Sequence, residues 1–163
     1  KVLWSFSAGT SPLSDMAIAS NLGVAAVTGE AGIITFFDPH KGKIIGTFKG
    51  GNVDNIYKLD FQNGYTFTAG QDRRAILYSP QGKIISRFDG TFLIYAVALS
   101  PQAKRGAIAI DEQNSLAFVD VLTRKVIAVG KGHKATLNRI LFLNEKQIVS
   151  CGDENKILFW EIP

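Results

Sequence analysis

The feature that most constrains this chain is a period. Segments beginning at Lys1, Lys43, Lys83 and Lys125 read "KVLWSFSAG", "KIIGTFKGG", "KIISRFDGT" and "KVIAVGKGH". Each opens with a lysine and two aliphatic residues, and the starts lie 42, 40 and 42 residues apart. Val27, Thr68, Ala109 and Ser150 recur at steps of 41, and so do Phe37, Tyr78, Val119 and Trp160. A further series is apolar at its first, fourth and sixth places: Leu13-Met16-Ile18, Ile56-Leu59-Phe61, Ile94-Val97-Leu99 and Leu137-Ile140-Phe142. A chain repeating at this length folds as stacked copies of one supersecondary unit.

Each unit holds four short apolar segments rich in Val, Ile, Phe and Tyr, separated by Gly, Asn, Asp, Lys or Pro. Those are strands and turns. "FQNGY" marks a hairpin, because Asn63-Gly64 tolerates the positive φ of a tight primed turn. No segment sustains a 3.6-residue period with caps, so essentially no helix is expected. Four-stranded units at this spacing are the signature of β-propeller blades, which bury their apolar faces against neighbouring blades around a channel. The expected fold is therefore an all-β propeller with four blade units in residues 1–163.

The fourth unit resembles a WD40 repeat. Gly132-His133 opens it, "LNRILF" follows as the inner strand, and "IVSCGDENKILFWEI" supplies the next two strands. In that family a strand hydroxyl, a turn acid, the Gly-His histidine and the Trp share one hydrogen-bond network. The resemblance carries these roles to Ser150, Glu154, His133 and Trp160. The family's acid is an Asp six positions before the Trp; here that place holds Glu154, with Asp153 beside it. The second unit matches in part, with Thr68 and Asp72 as hydroxyl and turn acid, Tyr78 for Trp, and Gly51-Asn52 where Gly-His would stand. The third has "VALSPQAKRGAIAI", similar to a common family run, without the polar network.

WD40 propellers usually close with seven blades, and a terminal strand commonly completes the last one. The resemblance implies that strand 1–8 completes the blade formed by 133–162. Three outcomes stay open for the ring: two chains joining as eight blades in a homodimer, a larger propeller of which this is part, or four blades closing alone.

The chemistry-bearing residues read mostly as structural. Cys151 shares its place with Thr28, Ala69 and Ile110, so a buried thiol is favoured over a nucleophile. One cysteine permits no internal disulfide. His133 and His40 are the only histidines, and no zinc-ligand or Walker-type spacing occurs. No catalytic residue, metal or cofactor is assigned. The net charge of +4 comes from scattered residues without a basic stripe, which argues against nucleic acid. No apolar run is long enough for a membrane helix. No signal-peptide pattern is visible, so a soluble chain is expected, cytoplasmic ahead of periplasmic, with the compartment unassigned.

Glu30, Gln71, Glu112 and Asp153 fall in the same turn of their units, at one end of the expected channel. Tyr57, Tyr95 and Asn138 begin inner strands near that rim, and Tyr favours protein contacts by joining area with a hydrogen bond. The expected function is a non-catalytic scaffold binding a protein or peptide on this rim. Two alternatives are a propeller enzyme or small-ligand binder using the channel, and an accessory or assembly factor for a bacterial respiratory or redox enzyme.

Overall fold

In the computed structural model, which describes all of residues 1–163, strands are the only regular elements. The first sheet is β1 (Leu13–Ala19), β2 (Val24–Gly29), β3 (Ile34–Asp38) and β4 (Lys43–Phe48). The second is β5 (Ile56–Gln62), β6 (Tyr65–Gly70), β7 (Arg74–Tyr78) and β8 (Ile84–Asp89). The third is β9 (Val97–Leu99), β10 (Arg105–Ala109), β11 (Leu116–Asp120) and β12 (Lys125–Gly130). The fourth has three strands, β13 (Leu137–Phe142), β14 (Gln147–Gly152) and β15 (Ile157–Glu161). Every sheet is an antiparallel meander in chain order. First strands of consecutive sheets adjoin, β1 by β5, β5 by β9 and β9 by β13. These are propeller blades.

The turns follow their chemistry. Asn63 and Gly64 take φ of 51° and 80°, the double positive φ that closes a two-residue hairpin. At the turn after the third strand of the first three blades a short polar side chain caps backbone N–H groups. Asp38 accepts from His40 and Lys41, Ser79 from Gln81 and Lys83, and Asp120 from Leu122 and Thr123. These bonds hold the Asp38 and Asp120 carboxyls below their ordinary range, led by the N–H of Lys41 and of Thr123 respectively.

The core lies between blades. Ile34 and Phe36 meet Ile56, Leu59, Phe61, Ile76 and Tyr78 between the first two. Phe67, Ala69, Ala75 and Leu77 meet Val97, Leu99, Ile108, Ala117 and Val119 between the second and third. Ala107, Ala109, Leu116 and Phe118 meet Leu137, Ile140 and Ile148 between the third and fourth. Each fully buried Leu, Ile or Phe contributes about 1.5–3 kcal/mol, so blade stacking is the main source of stability. Carboxylates add hooks: Asp15 accepts the N–H of Leu59 in the next blade at 3.0 Å, and Asp60 that of Leu99 at 2.8 Å. Burial raises the Asp60 carboxyl above its ordinary value.

The period needs one correction. Thr68 pairs with Ile76, Val27 with Thr35 and Ser150 with Leu158, but Ile108 pairs with Ala117. The turn between β10 and β11 is one residue longer than its counterparts. Ile108, not Ala109, therefore shares the place of Val27, Thr68 and Ser150. Ala109 faces the fourth blade and is the counterpart of Cys151, where Ile110 was expected.

Residues 1–8 form no strand and do not pair with 157–162 within the chain. They cross the open face of the first blade instead. Trp4 and Phe6 stack at 5.6 Å and both meet Phe37 edge-on, at 5.9 and 5.1 Å, and the Trp4 indole donates to the Pro39 carbonyl at 3.1 Å. No preceding blade covers Ala25, Val27 and Phe37, so this apolar segment does. The cover is partial. Met16 and Ile18 are 59% and 54% exposed, whereas Leu59 and Phe61, at the same places in the second blade, are 1% and 3%. At the other end Leu141, Ile157 and Phe159 are also exposed.

Candidate functional site

Three groupings of polar side chains stand out, and the first two are built into blades. In the fourth blade the Trp160 indole donates to Ser150 Oγ at 2.7 Å, and Ser150 lies 2.7 Å from His133 Nε2. His133 Nδ1 meets Glu154, whose second oxygen accepts the Lys134 N–H at 2.8 Å. With the serine oxygen accepting from Trp160, its proton goes to Nε2, and Nδ1–H then faces the carboxylate. The Lys134 N–H, followed by the His133 bond, pulls the Glu154 carboxyl below its ordinary value. Glutamate thus spans the place where the WD40 pattern has aspartate.

The second blade makes the same circuit from other residues. Thr68 Oγ1 donates to Asn52 Oδ1 at 2.6 Å, and Asn52 Nδ2 donates to Asp72 at 3.1 Å. Asp72 also accepts from the N–H groups of Val53 and Arg74. The Tyr78 hydroxyl accepts the Asn52 N–H at 3.2 Å, and burial raises its pKa. Asn52, 3% exposed, was not assigned a role from sequence. Its signal was there: an amide can accept at one atom and donate at the other, as a neutral imidazole does.

The third grouping lies at one end of the blades. In the first, second and fourth blades a backbone bond ties the turn after the second strand to the start of the first strand: Glu30 N to Pro12 O, Gln71 N to Asn55 O, and Asp153 N to Thr136 O. Around this rim Tyr57 and Tyr95 stack at 5.1 Å with planes 13° apart, and Phe92 leans on Tyr95 at 6.4 Å. The Tyr57 hydroxyl donates to Gln71 Oε1 at 2.9 Å, and Asn138 donates to Asp153 at 2.6 Å. Of the rim residues expected from sequence, Gln71, Tyr57 and Tyr95 meet between the second and third blades, and Asn138 and Asp153 pair on the fourth. Glu30 stands exposed on the first blade, apart from both groups. In the lengthened third turn Asp111 takes the place expected for Glu112, two residues past Ala109, and its carboxylate accepts the Ser115 N–H at 2.9 Å.

Across the first strands of three sheets, Asp15 on β1 lies 3.9 Å from both Lys58 on β5 and Arg139 on β13. Neither Asp15 nor Arg139 was singled out in the sequence. Cys151 is a half-buried free thiol beside Leu141, Val149 and Ile157.

Sheets of this order, hinged along their first strands, define a WD40-like propeller fold. Solved structures with this arrangement include the computationally designed Ika4 protein, with a TM-score of 0.83, 16% identity and coverage of 100% of this chain and 99% of that one. The RRP9 WD40 repeats match with a TM-score of 0.85 and 11% identity over 96% of this chain and 50% of that one. The U3-55K structure matches with a TM-score of 0.85 and 11% identity over 96% and 51%. The chain thus spans about half of the latter two. No known family profile matches the sequence, and no curated protein sequence does either.

Proposed function

We propose that this chain is a non-catalytic interaction scaffold that takes a protein or peptide partner on its rim. The observation that carries the reading is the stacked Tyr57–Tyr95 pair, half-buried at the edge and braced by Gln71. Tyrosines held this way offer rigid contact area at low entropic cost, as binding surfaces do. Selection from a random displayed peptide library, followed by amide shift mapping, tests it. Binders perturbing Tyr57, Tyr95 and Asn138 are expected. Binders perturbing Asp15, Lys58 and Arg139 instead would transfer the function to the channel and favour a small-ligand site.

The end faces favour a second part of this reading, a homodimer completing a larger propeller. Met16 and Ile18 stand where Leu59 and Phe61 plug into a preceding blade, and Leu141, Ile157 and Phe159 present a receiving face. Exposed apolar surface of this kind marks an association site, and the free edge of β15 offers unpaired backbone groups. Light scattering should return the mass of two chains; a monomer at micromolar concentration would end the dimer proposal.

A further inference from the structure

The rim between the second and third blades is unbalanced in its hydrogen bonding. The Tyr57 proton is committed to Gln71, so the phenol oxygen turns only lone pairs outward. Two residues before Tyr57, Asn55 Oδ1 is buried without a donor. Asp54, adjacent to it, accepts only the Asn55 N–H and is exposed.

The charges are unbalanced as well. The six ion pairs of the chain use Asp15, Asp38, Asp72, Asp89 and Glu154. The rim carboxylates Glu30, Asp54, Asp111, Glu112 and Asp153 take no part in them. At the ledge itself Asp54 is an exposed acid outside every ion pair, close enough for its charge to act on Tyr57.

We propose that the ledge of Tyr57, Tyr95 and Phe92 receives an arginine side chain of the partner segment, with Asp54 supplying the counter-charge. This rests on the rim reading above and names its ligand chemistry. A guanidinium is planar, carries five donors and no acceptor, and stacks on tyrosine faces. It meets all three properties of the site: a flat aromatic surface, surplus acceptors and unpaired negative charge. An acidic or phosphorylated segment would meet repulsion at Asp54 and Asp111 and a Tyr57 hydroxyl whose proton is already given to Gln71. The Tyr57 phenol, raised by partial burial, by Tyr95 and by Asp54, stays protonated at neutral pH and keeps its bond to Gln71. Arg73, exposed in the adjacent turn, is the competing cation on the second blade.

The test uses a glycine–serine peptide with one central arginine and its twin with norleucine, titrated against the labelled chain. Amide shifts at Tyr57, Phe92 and Tyr95 are expected with the arginine peptide, which should bind roughly three- to tenfold more tightly than the norleucine twin. Asp54→Asn and Tyr95→Ala should each erase that preference, Arg73→Glu should enlarge it, and added salt should weaken it. The Asp54→Asn variant removes charge with little change of shape, so it remains informative if Tyr95→Ala folds poorly. Equal binding of the two peptides would overturn the proposal. If library-selected peptides of apolar or acidic composition bind the same Tyr95-dependent surface, the arginine inference fails while the rim reading stands. If no peptide of any composition perturbs the rim, both fail.

Discussion

Asn52 Oδ1 accepts the Thr68 hydroxyl at 2.6 Å, and its Nδ2 donates to Asp72; in the fourth blade His133 stands between Ser150 and Glu154 in the same order. The two side chains are unlike in shape but alike in polarity, each accepting from a strand hydroxyl and donating to a turn carboxylate. Such circuits cross from the loop before the first strand to the second strand and the turn beyond it. They fasten the blade's entry segment to its centre.

Removing the middle of the circuit therefore takes one partner from each of two buried side chains, Thr68 and Asp72. Asn52→Ala is expected to lower stability by about 1–3 kcal/mol, read from urea denaturation. Thr68→Ala combined with it should cost less than the sum of the two singles, because both sever the same bond. Full additivity would show that the two residues act independently.

Gly130 is a packing requirement rather than a turn. A Cβ there would stand 2.5 Å from Trp160 Cζ3 and 3.1 Å from Phe118 Cε2. Gly130→Ala should push the indole outward, red-shift its emission and cost about 1–3 kcal/mol. Gly46→Ala, where the Cβ meets nothing within 4 Å, is the matched control and should leave the melting temperature nearly unchanged.

Trp160 carries both packing and a hydrogen bond. Its ring lies 5.9 Å from Phe118, and its indole N–H reaches Ser150. Because the ring is only partly buried, Trp160→Ala should cost about 3 kcal/mol, near the low end for such truncations. A wild-type melting curve would contradict this role.

Acid should act on the Glu154 circuit. The Glu154 carboxyl is held below its ordinary value of 4.5 by the Lys134 N–H and His133. A depressed carboxyl contributes stability above its unfolded value and loses it as pH falls through the folded one. Melting temperatures measured from pH 6 downward should therefore fall more steeply below about 4.5 in the wild type than in Glu154→Gln. Identical slopes would assign the acid sensitivity elsewhere; Asp38 and Asp120, lowered in the same sense, are the next candidates.

The period made the blades legible because apolar places recur wherever one blade plugs into the next. The circuit of the fourth blade was legible through its resemblance to the WD40 pattern, which carries the roles to Ser150, Glu154, His133 and Trp160. Asn52 was legible only in its place, at the Gly-His position, because the WD40 pattern assigns the bonding role to histidine. Asp15 and Arg139 were missed because their pairing depends on curvature around the axis, which no local spacing encodes. The stack of Tyr57 on Tyr95 joins different blades, so the sequence placed both on one rim without placing them in contact. Residues 1–8 have the pattern of an outer strand, but pattern alone does not select a sheet to join, and the nearest uncovered apolar face took them.

The extra residue between Ile108 and Ala117 has a consequence for how such a chain tolerates change. The added length is absorbed entirely outside the pairing, and Ala107↔Phe118 and Gly106↔Val119 keep their register behind it. The turn after a second strand is thus where the architecture holds slack, and it lies on the surface proposed to meet other molecules. New sequence could be inserted there, between Asp111 and Ser115, and displayed to solvent with the interior undisturbed. The rim is the editable part of the molecule, and the strands beneath it act as a fixed frame.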